Sequence, residues 1–116
     1  MRFSVEIMLR GDQRVFTETA DYPEAAATWT ASDVSAVLKL VLLAIVRVQE
    51  PGRVDAPPVS LRGMSWIAHA AGDGAVMALE IHSASAVAGP FDIDAARLES
   101  LMRIAVASES AGASVH

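Results

Sequence analysis

The side chains best suited to chemistry in this sequence are His69, His82, Glu80 and Ser65. They lie in two segments with strand-like patterns, and pairing of these segments would bring all four onto one face of a sheet. Facing side chains on paired strands have Cβ atoms about 5 Å apart, and diagonal neighbours are about 7 Å apart. At such distances two imidazoles and a carboxylate could bind a metal ion with open coordination positions, or act as a base and its orienting acid.

The pairing of the two segments is predicted from the dipeptide Asp73-Gly74, because Asp-Gly between alternating runs is a strong hairpin signal. With these two residues as the turn, Ser65 lies opposite His82 and is the one nucleophile beside a base. Ordinary cross-strand neighbours have the same pattern, and no zinc-enzyme motif or glycine-flanked serine is present. We therefore weigh the histidine face as a low-ranking candidate site.

The elements that must position these residues follow from the spacing of apolar side chains, which is two in the predicted strands and three to four in the predicted helices. A threonine before the first helical run and an aspartate before the second supply the caps. The predicted elements are strands over 2–10 and 14–20, a helix from Thr30 to about Gln49, strands over 59–71 and 75–87, and a helix after Asp94.

This order, ββαββα, predicts an α+β fold of one domain. Two hairpins and two helices pack most economically as a two-layer sandwich, in which both helices cover one face of a four-stranded antiparallel sheet. The predicted domain spans residues 1–107. Residues 108–116 are small, polar and without periodicity, so they are predicted to form a flexible C-terminal tail.

The first helix carries more apolar surface than one buried face requires. Leu42, Leu43 and Val46 share a sector with Lys39, where an ordinary surface helix would be polar. Either the second helix covers this sector or another subunit does, and we favour a subunit, because a bare patch of this kind is itself an association site. The outer face of the sheet is a second candidate interface. A homo-oligomer, dimeric or larger, is the predicted assembly, with a different protein partner as the alternative.

Composition excludes several classes of function. The 116-residue chain has a net charge of −5 with nine basic side chains, which disfavours binding along a nucleic-acid backbone. It has no cysteine, and no cofactor or metal ion is predicted. The longest apolar run, Leu40–Val46, is far shorter than the roughly 20 residues that cross a membrane, and the N-terminus does not resemble a secretion signal. We expect an acidic cytoplasmic protein of bacterial origin that does not bind membranes.

Two hypotheses of function result. The first is a non-enzymatic interaction or binding module that forms a homo-oligomer through the long helix or the outer sheet face. The second is a small-ligand or metal-binding enzyme that uses the face with His69, Glu80 and His82. The first is favoured, because the sequence shows apolar surface in need of a partner, whereas it only permits the chemistry.

Overall fold

The computed structural model describes the backbone of residues 1–114 and the side chains of residues 1–109. Within that range the chain forms five strands, two long helices and one short 3₁₀ turn. They are β1 (Arg2–Leu9), β2 (Phe16–Asp21), the 3₁₀ turn (Ala26–Thr28), α1 (Ala31–Gln49), β3 (Ser65–Ala71), β4 (Gly74–Ile81), β5 (Ala84–Phe91) and α2 (Ala95–Ser114). The strands form one antiparallel sheet in the order β2-β1-β5-β4-β3.

The α+β class is as predicted, but the four-stranded sheet and the order ββαββα are wrong. The segment predicted as one strand over 75–87 is divided by a turn at His82 and Ser83, so the order is ββαβββα. A two-residue turn changes which residues face inward: the buried positions are odd-numbered from Ala75 to Leu79 and even-numbered from Ala84 to Ala88. Alanine stands at every second position from 84 to 88, and alanine and Ser85 are small enough for either face, so the sequence carried only a weak signal of this change of face.

One face of the sheet is buried under both helices. In β1 the side chains of Phe3, Val5 and Ile7 are buried, whereas the residues between them are exposed. α1 lies against β1, β2 and β5, α2 lies against β3 and β4, and the two helices contact each other. The core therefore occupies a single layer between the sheet and the helices. No helix of the described residues lies over the opposite face, which we call the outer face.

Three aromatic rings join the centre of the sheet to the segment that precedes α1. The ring centroids of Trp29 and Phe91 are 4.9 Å apart, and those of Phe3 and Phe91 are 5.1 Å apart. The indole nitrogen of Trp29 donates a hydrogen bond to the carbonyl oxygen of Glu24 at 3.0 Å, so its polar group is satisfied although the residue is fully buried. Trp29 is thus a core residue and anchors the start of α1.

The helix predicted from Thr30 to Gln49 is confirmed. Thr30 accepts a hydrogen bond from the backbone N–H of Asp33, and the Asp33 carboxylate accepts one from the backbone N–H of Thr30, which is a capping box. α2 begins after Asp94, whose carboxylate accepts from the N–H groups of Ala96 and Arg97. α2 continues as far as Ser114, into the segment predicted as a tail, and residues 115–116 lie outside the described residues.

Tyr22 connects the end of β2 to the cap of α1. Its hydroxyl donates a hydrogen bond to Asp33 Oδ1 at 2.6 Å. This bond raises the pKa of Tyr22 to about 12, with further contributions from burial and from the negative charge of Asp33. The same bond lowers the pKa of Asp33 below its usual value, and the hydrogen bonds from Thr30 act in the same direction. The two groups therefore favour the pair of a neutral phenol and an ionised carboxylate.

The single tyrosine of the chain makes this interaction directly measurable. Ultraviolet titration of tyrosinate is expected to give a midpoint near 12 in the parent protein and one closer to the ordinary value of about 10 in Asp33→Ala. Because the folded-state pKa is raised, the stabilisation is complete below about pH 10 and is lost as the pH rises toward 12. Asp21→Ala, which removes a carboxylate that pairs with Arg2, is the control. Equal midpoints in the parent and in Asp33→Ala would contradict the assignment.

Gly74 at the start of β4 has no room for a side chain. A Cβ atom there would overlap the backbone carbonyl oxygen of Phe91, and backbone cannot rotate away as a side chain can. We expect Gly74→Ala to destabilise the fold by on the order of 2 kcal/mol, measured by urea unfolding. Gly52→Ala is the matched control, because a Cβ at Gly52 meets nothing within 4 Å. Equal unfolding midpoints for the two variants would show that β5 can shift to admit the methyl group.

Candidate functional site

The hairpin formed by β3 and β4 has a different register from the predicted one. Its turn residues are Gly72 and Asp73, so Ser65 lies opposite Glu80, and His69 lies opposite Val76. The predicted pairing of Ser65 with His82 is therefore wrong. His82 belongs to the turn between β4 and β5, at the end of β4 far from His69.

The two histidines do not converge on Glu80. His69 faces Val76, which is four residues before Glu80 along β4, and a strand of that length spans about 13 Å. In the part of the chain that the structure describes, no three histidine or acidic side chains are grouped so that they could hold a metal ion. The face with His69, Glu80 and His82 thus lacks the spacing that metal binding by all three would need.

Three of the four candidates nevertheless line one groove, which we call the end groove. Ser65, Glu80 and His82 border it together with Arg10 and Asp12 from the turn between β1 and β2, and its volume is about 720 Å³. The backbone N–H of Arg10 donates to the carbonyl oxygen of Ser83 at 2.9 Å, which holds the two turns side by side. One Arg10 Nη1–H also points to the carbonyl oxygen of His82 at 3.4 Å.

The end groove offers a cation, an imidazole, two carboxylates and hydroxyl groups, but it is open to water. Arg10, Ser65, Glu80 and His82 are all exposed. Charged groups in such surroundings are screened, whereas catalytic sites usually hold their groups in a partly desolvated cleft. A small polar ligand could be held by Arg10 and its neighbours, and a ligand site here stays a prediction. Sequence reasoning missed Arg10, which it included only as the last residue of the strand predicted over 2–10.

The predicted interface on α1 is partly covered by the chain itself. Leu42 is 7% exposed and belongs to the core. Leu43 and Val46 are half-buried and border a hollow of about 180 Å³ whose other wall is the loop over residues 53–57. Lys39 Nζ lies 3.5 Å from Glu109 Oε2 of α2. Of these four residues, Leu43 and Val46 keep apolar surface that a partner could contact.

The largest exposed apolar side chains of the sheet lie on its outer face. Ile67, Ala78 and Val87 are neighbours across β3, β4 and β5, and we call these three residues the outer patch. Ile67 is 56% exposed and Val87 is 44% exposed. The same row continues through Glu6 on β1 to Thr17 on β2, where the face is polar. Along this row the apolar side chains lie on β3, β4 and β5, and Met8 of β1, 45% exposed, is a separate exposed apolar side chain on the same face.

Comparison with known proteins gives no relative: no family model, no curated protein and no solved structure matches the chain. Within the described residues, no helix is both long and apolar enough to cross a membrane.

Zinc is not expected to stabilise this protein through the face with His69, Glu80 and His82, because these three residues are too far apart to coordinate it together. With excess Zn²⁺ the melting temperature should stay within about 1 °C of its value without metal. His69→Ala and His82→Ala, both at exposed positions, should each change the free energy of unfolding by less than about 0.5 kcal/mol. A zinc-dependent rise of several degrees that is lost in His82→Ala and retained in His69→Ala would place a metal in the end groove.

Proposed function

We propose that this protein is a non-enzymatic, cytoplasmic interaction module that self-associates through the outer patch. The observation that carries the proposal is the row of Ile67, Ala78 and Val87, which crosses three paired strands and has two large side chains about half exposed. Antiparallel sheets with one face in water normally alternate apolar and polar residues so that the free face is polar. Here half of the free face departs from that rule.

Burial of this patch would be favourable, because each Å² of apolar surface removed from water contributes about 25 cal/mol. The strands beneath it are hydrogen-bonded on both sides in β4 and β5, so the patch is held rigid and association costs little backbone ordering. A second copy is the partner we propose, since two-fold symmetric dimers bring the same patch together from both subunits.

The apolar side of α1 supports the proposal less directly. Leu42 is buried in the core, and the loop over residues 53–57 lies beside Leu43 and Val46. Within the described residues the outer patch has no such neighbour, because the residues around it on the outer face belong to the sheet itself. For this reason we place the contact between copies on the sheet and retain Leu43 as the test of the helix.

The substitution Val87→Glu is expected to lower the molecular mass in solution, measured by size-exclusion chromatography with light scattering. A carboxylate at position 87, at the β5 end of the outer patch, would be buried without a partner in the assembly, and that cost exceeds what a small interface contributes. Thr17→Glu is the matched control, because Thr17 is exposed in the same row of the same face but outside the patch.

Three results bear on this proposal. A parent protein that is monomeric, or a Val87→Glu variant with the mass of the parent, would contradict it. A loss of mass in Leu43→Glu but not in Val87→Glu would move the contact to α1. Unfolding curves of each variant show whether a change in mass reflects association or loss of the fold.

A further inference from the structure

The outer edge of β3 is a second surface that is open to a partner. β3 ends the sheet, and its one neighbour is β4. Among the described residues, no backbone hydrogen bond outside that pairing involves residues 65–71, and no side chain donates to or accepts from them. A strand edge of this kind presents a row of unpaired N–H and C=O groups, which is a template for another strand.

The turn of the β3–β4 hairpin shows which backbone groups point outward. A two-residue loop closes on a hydrogen-bonded pair, here Ala71 and Gly74, and bonded and non-bonded pairs alternate along the strands. Ala70, Ala68 and Trp66 therefore occupy non-bonded pairs with β4. Their N–H and C=O groups point away from β4, toward the free edge.

The opposite edge of the sheet carries charges that oppose pairing. β2 contains Glu18, which pairs with Arg47 at 2.9 Å, and Asp21, which pairs with Arg2 at 3.3 Å. Charged side chains on an edge strand are a common protection against pairing. β3 has the sequence SWIAHAA, with no charged residue and no proline. In a chain with a net charge of −5, the β3 edge is where a second copy meets least repulsion.

We propose that two copies of this chain pair antiparallel along their β3 edges. A two-fold axis normal to the sheet at Ala68 gives full overlap of residues 65–71, and it places Ala68 opposite Ala68 of the second copy. Trp66 then faces Ala70 of the second copy. Because these are the residues with outward-pointing backbone groups, each pair exchanges both of its backbone hydrogen bonds.

Side chains fit this register on both faces. On the outer face, Ile67 lies beside His69 of the second copy, in a non-bonded pair where side chains approach closely. On the helix side, the half-buried Trp66 lies beside Ala70 of the second copy, whose exposed methyl group leaves room for the indole. Neither face brings like charges together.

The residues that flank β3 add charge complementarity. Arg62 precedes the strand and Asp73 follows it, and both are exposed. Neither takes part in an ion pair among the described side chains. The axis at Ala68 brings the segment before β3, with Arg62, to the same end of the paired edge as the turn with Asp73 of the second copy, and symmetry repeats this approach at the other end. The register that overlaps the strands fully thus also brings opposite charges to the same ends of the edge.

This contact goes beyond the proposed function, because it uses a different surface. Rotation about an axis normal to the sheet keeps all helices on one side and joins two outer faces into one continuous face. The outer patch stays uncovered in such a pair, so face-to-face and edge-to-edge contacts are independent and can be removed separately.

Ala68→Pro in the Val87→Glu background isolates the edge. Proline removes an N–H that points away from β4, so the β3–β4 hydrogen bonds remain, and proline is tolerated at such edge positions. By light scattering, Val87→Glu alone is expected to be a dimer, and Val87→Glu/Ala68→Pro a monomer. A double variant that stays folded by circular dichroism and keeps the mass of Val87→Glu would overturn the edge contact.

Charge reversal tests the same contact without altering the backbone. In the Val87→Glu background, Arg62→Asp and Asp73→Arg should each weaken the dimer about fivefold. Both changes together should restore the dimerisation affinity of Val87→Glu to within about twofold. Equal affinities in all four proteins would show that residues 62 and 73 do not meet across the edge, and would overturn the proposed register.

The two proposals fail in different ways. If Val87→Glu keeps the parent mass, the outer patch is not a contact and the proposed function fails, while a halved mass for Ala68→Pro in the parent background still supports the edge. If Val87→Glu and Ala68→Pro both keep the parent mass, both proposals fail.

Discussion

Coverage of the sheet on one side only is the constraint on which the rest of this structure depends. Two helices are enough to bury one face of the strands, and Trp29 against Phe91 ties the first helix to the centre of the sheet with rings 4.9 Å apart. The chain has no further element to place over the outer face within the described residues. The outer patch and the end groove stay open because no described element covers the outer face, and the β3 edge stays free because the sheet ends at β3.

The three surfaces differ in how they are exposed. The end groove is polar, so its groups form hydrogen bonds with water and their exposure costs the free protein no stability. The outer patch leaves Ile67 and Val87 in water, where their exposure costs free energy that a partner could recover. The β3 edge leaves backbone groups hydrated but unpaired, and the one charged edge lies on the opposite side of the sheet. Apolar surface and a neutral edge therefore meet in the same half of the molecule, at Ile67.

The candidate site shows how a local rule can place residues on the correct face and still misjudge their neighbours. Asp73-Gly74 has the composition of a hairpin turn, but Gly74 is needed in β4, where the backbone of Phe91 leaves no space for a side chain. The turn therefore falls on Gly72 and Asp73, two positions of register away from the prediction. A shift of two keeps every side chain on its face. His69 and Glu80 accordingly share the outer face as predicted, whereas the contact of Ser65 with His82 is lost.

Local patterns determined the helices, their caps, the first hairpin and the α+β class, because capping and apolar periodicity act over a few residues along the chain. Alternation also assigned inward and outward faces in β1, β3 and β4. Only the tertiary structure decided that β5 is a separate strand beside β1, because alanine and serine suit either face and the choice depends on what packs against them. It alone decided that Leu42 belongs to the core, since the sequence placed Leu42 in the sector of Lys39 that a partner was expected to cover. Long-range packing, which no short window of residues contains, set the strand order and with it the surfaces that stay free.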